Sequence, residues 1–186
     1  MSETLEQHEQ AEHAAEGGHK HSALLIAALA AGLAFTEQGA QHAQTAMSES
    51  AIAATDLWGQ YQAKSIRANQ AHDFAGLAMA AAPAGPARDA LLAQLNADIS
   101  RFETDKADGK AAVASRARTL EKARDAAHER LEAFDNGAAA LQLAIVLTTA
   151  SVITDSGMLL LGGFLVGGAG VLLSVLGLVR PEWAAW

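Results

Sequence analysis

Histidine and glutamate recur through the first 21 residues, and their side chains are ligands for Zn²⁺, Ni²⁺ or Cu²⁺. The histidines of this segment are His8, His13, His19 and His21. Their spacings of five, six and two residues match no fixed tetrahedral signature. A disordered acidic tail over residues 1–21 that binds no metal is the simpler interpretation. We therefore expect no cofactor.

Two further histidines, His42 and His128, flank the central part of the chain, and Glu129 and Glu132 lie close to the second. If the central part folds back on itself, the two imidazoles reach a similar height above the membrane. One hypothesis is a pH-sensitive or cation-binding collar. The alternative is a solvated helix face, on which such residues are common.

Polar residues also interrupt an apolar run near residue 150. Gln142, Thr149 and Ser156 are spaced by seven, and Asp155 lies at the end of the run. Polar groups inside a membrane are costly and often functional, so this face is a candidate pore lining. Hydrogen bonding between helices is the alternative, because hydroxyls can also bond to the preceding helical turn.

Catalytic signatures are lacking in the sequence, which has no cysteine, no G-x-S-x-G, no phosphate-binding loop and no H-E-x-x-H. We expect a protein without enzymatic activity. The net charge of −8 argues against nucleic-acid binding.

Three apolar runs indicate helices that span a lipid bilayer, and they set the frame for these residues. The predicted spans are residues 22–36, 137–154 and 157–180. We interpret the first as an uncleaved signal anchor, because small residues do not occupy the positions that cleavage requires. Residues 181–186 are expected at the membrane interface. The predicted fold class is an all-α integral membrane protein.

The prolines divide the region between the first two spans. Pro83 and Pro86 lie near the middle of residues 37–136, and no other proline precedes Pro181. Two long helices that meet at residues 83–86 would form an antiparallel coiled-coil stalk. Heptad spacing favours it in the second arm, at Leu92, Ile99, Lys106, Val113, Leu120, Ala127, Phe134 and Leu141. The alternative is a compact bundle of shorter helices with an extra break at "KADGK".

Aromatic residues mark one level of this stalk. Reflection through the turn at 83–86 sets Trp58 and Tyr61 opposite roughly Ala112 and Gly109. We predict that Gly109 makes room for one of the two rings.

The last span carries small residues on one helical face, at spacings of four, three, four and three. They are Gly163, Gly167, Gly170, Ser174 and Gly177. Missing side chains let membrane helices approach closely. A similar alanine stripe runs along the first span, at Ala23, Ala27, Ala30 and Ala34. Two such stripes on a small protein favour a homo-oligomer, with the glycine face as its interface.

The stretch "DLWGQYQAKSIRA" resembles a bacterial family of unknown function, number 4337 in the domain-of-unknown-function series. The family motif W-x-x-Y-Q-A-K-S-I matches Trp58, Tyr61, Gln62, Ala63, Lys64, Ser65 and Ile66, and "ALQLAIVLTTASVIT" at residues 140–154 matches its second span. The resemblance implies a Glu/His-rich tail, a first membrane helix, a charged coiled coil and two C-terminal spans over nearly the whole chain. It implies no activity. This chain has "TDSG" at residues 154–157, where relatives tend to have arginines.

The orientation in the membrane is open. Arg124, Arg130 and Arg180 favour a cytoplasmic stalk, whereas the relatives' loop arginines favour the reverse. Because long domains cross a membrane largely regardless of charge, we expect a periplasmic stalk. The predicted function is a homo-oligomeric scaffold or tether in the bacterial inner membrane, whose stalk meets an unknown protein partner. The alternative is a small oligomeric channel or transporter whose second span lines the pore.

Overall fold

A computed structural model describes the backbone of residues 2–179 and the side chains of residues 22–179. Over these residues the chain is all-helical and contains no strand. The four helices are α1 (Ser2–Ala81), α2 (Pro86–Thr104), α3 (Lys110–Thr154) and α4 (Gly157–Val179). Within the described part, three helices are long and apolar enough to cross a membrane: Ser22–Ala81, Lys110–Thr154 and Gly157–Val179.

The break between α1 and α2 lies where the prolines predict it. α1 ends at Ala81, and Pro86 takes one of the first positions of α2, where a proline costs no helical hydrogen bond. The residue before a proline avoids helical angles, so Pro83 also prevents α1 from extending further.

The chain after Pro86 forms two helices, which corrects the prediction of a single long helix in the second arm and agrees with the alternative break at "KADGK". α2 ends at Thr104 and α3 begins at Lys110, so the chain breaks at the "KADGK" stretch. Asp105 explains this break, because its carboxylate accepts hydrogen bonds from the backbone N–H groups of Ala107 and Asp108, both at 2.8 Å. Such local bonds compete with the helical ladder.

The chain divides into two compact units. The terminal unit comprises residues 1–45 and 126–186, and the central unit comprises residues 46–125. In the terminal unit, α1, α3 and α4 pack around the buried residues Leu29, Leu141 and Ala144. In the central unit the buried hydrophobic residues are mostly small: Ala54, Ala68, Ala71, Ala78, Ile99, Val113, Ala114 and Ala117.

Burial follows the predicted heptad series closely. Ile99, Val113, Ala127, Phe134 and Leu141 are buried, Leu92 and Leu120 are half-buried, and Lys106 lies exposed in the 105–109 turn. In the first arm, Ala71 and Ala78 are buried, whereas the neighbouring His72 and Met79 are exposed.

Candidate functional site

The glycine face of α4 is buried against the other two helices of the terminal unit. Gly163, Gly167, Gly170 and Gly177 are all buried. A Cβ at Gly163 would overlap the Thr148 hydroxyl of α3. At Gly170 it would lie 3.0 Å from the carbonyl oxygen of Gly137, also on α3. These glycines therefore permit close helix approach, as their spacing predicted.

The chain's own helices also approach the other two glycines of this face. A Cβ at Gly167 would meet the Leu29 side chain of α1 and the Ala144 side chain of α3, and one at Gly177 would meet Ala133 and Phe134. All these neighbours belong to the chain itself. The chain's own helices therefore contact this face, and the predicted interface between copies stays a prediction.

Ser174, the fifth member of the face, links the helices through a hydroxyl pair. Its Oγ lies 2.9 Å from Thr36 Oγ1 on α1 and also donates to the Gly170 carbonyl oxygen. Thr36 is buried and donates to the Gly32 carbonyl oxygen of its own helix. Each hydroxyl has one proton, so it donates either to the carbonyl oxygen of its own helix or to the other hydroxyl, and both groups have partners within the bundle.

Phe134 fills the space between two glycines on different helices. A Cβ at Gly39 of α1 would lie 2.7 Å from its ring, and one at Gly177 of α4 would lie 3.4 Å from it. Phe134 is 6% exposed. One aromatic side chain of α3 therefore holds α1 and α4 at this end of the unit.

The polar residues of the second span separate into a buried set and an exposed set. Thr148 and Ser151 are buried, and their hydroxyls bond to the Ala144 and Thr148 carbonyl oxygens. Gln142 and Thr149, from the predicted polar stripe, are exposed. The sequence analysis missed Thr148 and Ser151 because the seven-residue spacing selected Gln142, Thr149 and Ser156.

The end of this stripe forms the turn between α3 and α4. Asp155 is exposed and has a positive φ of 49°. The Ser156 N–H donates to the Ser151 carbonyl oxygen at 3.2 Å, which is the bond of a Schellman motif with Asp155 at its left-handed position. Ser156 is half-buried, and its carbonyl oxygen accepts from Leu159 and Leu160 at the start of α4. Asp155 and Ser156 therefore have a structural role, in ending α3 and starting α4.

The family motif of the central unit connects α1 to later helices. Trp58 Nε1 donates to Glu121 Oε1 at 2.9 Å, and Lys64 Nζ donates to Asp108 Oδ2 at 2.7 Å. The Trp58 and Tyr61 rings meet edge to face, with centroids 5.6 Å apart. The motif residues thus act as polar ties between helices.

Gly109 lies in the turn before α3 and has backbone neighbours. A Cβ there would lie 2.5 Å from the Asp105 carbonyl oxygen and 3.1 Å from that of Glu103. The structure therefore explains this glycine by the tight turn. In the same turn, the Asp108 and Ala107 N–H donors hold the pKa of the Asp105 carboxyl below its usual value.

The histidines of the predicted collar each bond within their own helix. His42 Nε2 lies 2.9 Å from Gln38 Nε2, and His128 Nε2 lies 3.3 Å from Glu132 Oε1. Among the residues whose side chains are described, no three acidic or histidine side chains are grouped to hold a metal ion. His8, His13, His19 and His21 lie outside these residues, as do the predicted tail and the interfacial segment 181–186.

An apolar groove, which sequence reasoning missed, lies at the end of the central unit where α1 meets α2. It has a volume of about 520 Å³ and is lined by Phe74, Leu77, Ala78, Ala81, Ala82, Leu91 and Leu95. Phe74 is 60% exposed and Leu77 is 61% exposed. The available signal was two large apolar residues three apart in an alanine-rich stretch before the prolines.

Comparisons with known proteins give one match. The family described as Domain of unknown function (DUF4337) matches residues 19–180. No curated protein and no solved structure is detectably similar to the chain. The match covers α2, α3, α4 and all of α1 beyond residue 18, which is most of the chain. The chain therefore belongs to the DUF4337 family.

Proposed function

We propose that this protein is a non-enzymatic, homo-oligomeric membrane protein of the bacterial inner membrane that presents a helical stalk as a scaffold or tether. The terminal unit would be its membrane part, since each of its three helices supplies an apolar span. The central unit would be the stalk. We assign no reaction, because the sequence contains none of the common nucleophile or phosphate-binding motifs.

Contacts within the central unit support an antiparallel hairpin. Trp58 pairs with Glu121, Lys64 with Asp108, and His72 with Glu103. The partner number falls as the α1 number rises, as it does when two chain segments run in opposite directions. The alternation of buried alanines then resembles a close-packed coiled coil with few large side chains.

The apolar groove is the observation that carries the tether proposal. Single exposed apolar side chains are ordinary on a protein surface, but contiguous apolar patches mark interaction sites, and Phe74, Leu77 and Leu91 form such a patch at the groove. The groove runs between two helices, a geometry that accepts the apolar side of an amphipathic helix. Only Asp73, Arg88 and Asp89 carry charge in residues 73–95, so the surface has no basic cluster of the kind that binds anionic lipid. We therefore propose a helix of a partner protein as the occupant.

The stalk is proposed to lie on the periplasmic side. Long domains cross the membrane largely regardless of charge, and the arginines that relatives tend to have between the last two spans favour a cytoplasmic turn there, although this chain has "TDSG" at residues 154–157. The arginines at positions 124, 130 and 180 favour the opposite orientation. Labelling of a single introduced cysteine with a membrane-impermeant reagent on intact cells decides between them, because the chain has no cysteine of its own.

One observation favours the channel alternative. Gln142 and Thr149 are exposed on the chain's own bundle, and a subunit whose pore lies between copies would present such a face to water. In that case the stalk would support assembly and would not bind a partner. Ion flux through vesicles containing the purified protein would favour this alternative.

The tether proposal is tested by photo-crosslinking in cells. A photoreactive amino acid at Leu77, in the groove, should give a discrete adduct with another protein. The control is Ile66, which is 57% exposed against 61% for Leu77 and does not line the groove. Adducts of equal yield at both positions, or none at Leu77, would contradict a docking surface at the groove. An adduct of two copies of this chain would identify a contact between stalks instead.

A further inference from the structure

One face of α3 in the terminal unit is left uncovered by the chain's own helices. Its residues are spaced by three, four, three and four, so they form one stripe along the helix. All are exposed: Ala139, Gln142, Val146, Thr149 and Ile153. The opposite side of α3 carries the buried residues Leu141, Ala144 and Thr148.

Gln142 lies well inside the span. The charged residues that bracket it on α3 and the following turn are Asp135 and Asp155. They are 20 positions apart, which is about 30 Å at 1.5 Å per residue, the thickness of the hydrocarbon layer. Gln142 is seven residues from Asp135, or about 10 Å along the helix. That depth exceeds the reach of a glutamine side chain to the membrane surface.

The two polar groups of the stripe differ in how they are satisfied. Thr149 donates to the Ile145 carbonyl oxygen at 2.8 Å, so its hydroxyl is satisfied by its own helix. Within the described residues, no hydrogen bond is made by the Gln142 amide, which offers two donors and an acceptor. Hydrocarbon supplies no partner for such a group. The amide therefore requires a partner from outside the chain.

We propose that a second copy of this chain covers the stripe, and that the Gln142 amides of the two copies hydrogen-bond to each other. An amide is both donor and acceptor, so it can pair with its own symmetry mate across a two-fold axis. Two copies in one membrane share an orientation, which puts this axis along the membrane normal. Ala139 lets the helices approach, and Val146 packs one turn further on. The glycine face of α4 does not compete for this role, because it is already buried.

This inference rests on the proposed homo-oligomer and gives it an interface. It differs from the channel alternative, in which the stripe faces water. If a second copy covers the stripe, Thr149 is buried with Gln142 and aqueous reagents cannot reach it. If the stripe lines a pore, they can.

The amide pair is tested by the dimer dissociation constant in lipid vesicles, measured by energy transfer between labelled copies. Gln142→Leu should weaken association about tenfold, the effect of one interhelical side-chain bond in a membrane. Gln142→Asn keeps the amide and should retain most of the affinity. Because Gln142 is exposed in the single chain, thermal unfolding should be unchanged in both variants when it is measured at a dilution at which the wild-type chain is monomeric. An affinity unchanged by Gln142→Leu would overturn the amide pair.

Single cysteines test the face independently, since the wild-type chain has none. Oxidation should form a disulfide between copies that carry Val146→Cys and none between copies that carry Leu172→Cys. The two residues are equally exposed, at 62% and 61%, but Leu172 lies on α4, outside the stripe. The reverse pattern would sink this interface and leave the homo-oligomer standing. Thr149→Cys labelled by an impermeant charged thiol reagent would favour a pore over the dimer contact. A wild-type chain that stays monomeric in vesicles would overturn both the interface and the proposed homo-oligomer.

Discussion

The terminal and central units of this chain bring helices together by different means. In the terminal unit, glycines on one helix face larger residues on the next, as at Gly167 against Leu29 and Gly39 against Phe134. In the central unit, buried alanines such as Ala68 and Ala117 fill both sides. The first arrangement joins surfaces of opposite shape, and the second joins two small-residue surfaces.

The polar contacts between helices also differ between the two units. The terminal unit uses hydroxyls, as in the Thr36–Ser174 pair, whereas the central unit uses charged side chains, as in Lys64–Asp108. Hydroxyls bond to their own helix and need no water, while ion pairs at a surface are tolerated where water solvates them. The contrast agrees with the proposal that the terminal unit faces lipid and the central unit faces water. It also explains why the two regions should respond differently to added bulk.

The largest effect is expected in the terminal unit. Gly170→Leu would force a side chain against the Gly137 carbonyl oxygen, 3.0 Å from its Cβ, and the Leu141 side chain. Neither neighbour can withdraw without separating α3 from α4, so we expect a loss of about 3 kcal/mol. Thermal unfolding in detergent, followed by circular dichroism, measures it.

The matched control is Gly168→Leu, two residues earlier on α4, where a Cβ would meet nothing within 4 Å. It should unfold close to the wild-type temperature. Native mass spectrometry adds a second criterion. If Gly170→Leu leaves stability intact and reduces the number of subunits, the glycine face joins copies and the packing described here fails.

The same change in the central unit sharpens the comparison. Ala117 is fully buried, so Ala117→Leu also adds bulk to a packed seam. We expect a smaller loss of about 2 kcal/mol, because helices whose outer faces are solvated can shift apart more easily than a bundle of three. Ala111→Leu, at an exposed position, is the control. A loss at Ala117 that equals the loss at Gly170 would contradict the distinction between the units.

A third change addresses the polar ties of the central unit. Trp58→Phe removes the indole N–H that donates to Glu121 and keeps an aromatic ring beside Tyr61. Because Trp58 is only half-buried, we expect a loss of about 1 kcal/mol. A double-mutant cycle with Glu121→Ala, which removes the acceptor, isolates the bond, and a coupling energy near zero would mean that the bond contributes nothing in solution.

Much of this architecture follows from simple sequence rules. Proline chemistry at Pro83 and Pro86 predicted the first helix break, and heptad spacing identified the buried residues Ile99, Val113 and Phe134. The glycine spacing in α4 correctly predicted a close-packed face. These rules succeed because each depends on the local chain or on one helical period.

The partner of each face could not be predicted in the same way. Glycine spacing says that something approaches α4, but only the fold shows that Thr148, Ala144 and Leu29 occupy the space. The 105–109 break depended on the Asp105 side chain capturing two backbone N–H groups, a competition that helix propensity alone did not resolve. The groove beside Phe74 required knowing how α2 packs on α1.

The smallest effect is expected at the turn that joins α3 to α4, where a change should stabilise the terminal unit. Asp155 adopts a φ of 49°, which costs a residue with a Cβ more than it costs glycine. Asp155→Gly should therefore raise the free energy of unfolding by about 0.5 kcal/mol. The gain is small because aspartate tolerates this region better than most residues, and because glycine loses more chain entropy on folding. Asp155→Val, with a branched Cβ, should have the opposite sign and a larger size. Unfolding temperatures of the two variants in the same detergent test this expectation. If Asp155→Gly is destabilising, the expectation is wrong, and the Asp155 carboxylate makes an interaction that outweighs the backbone strain.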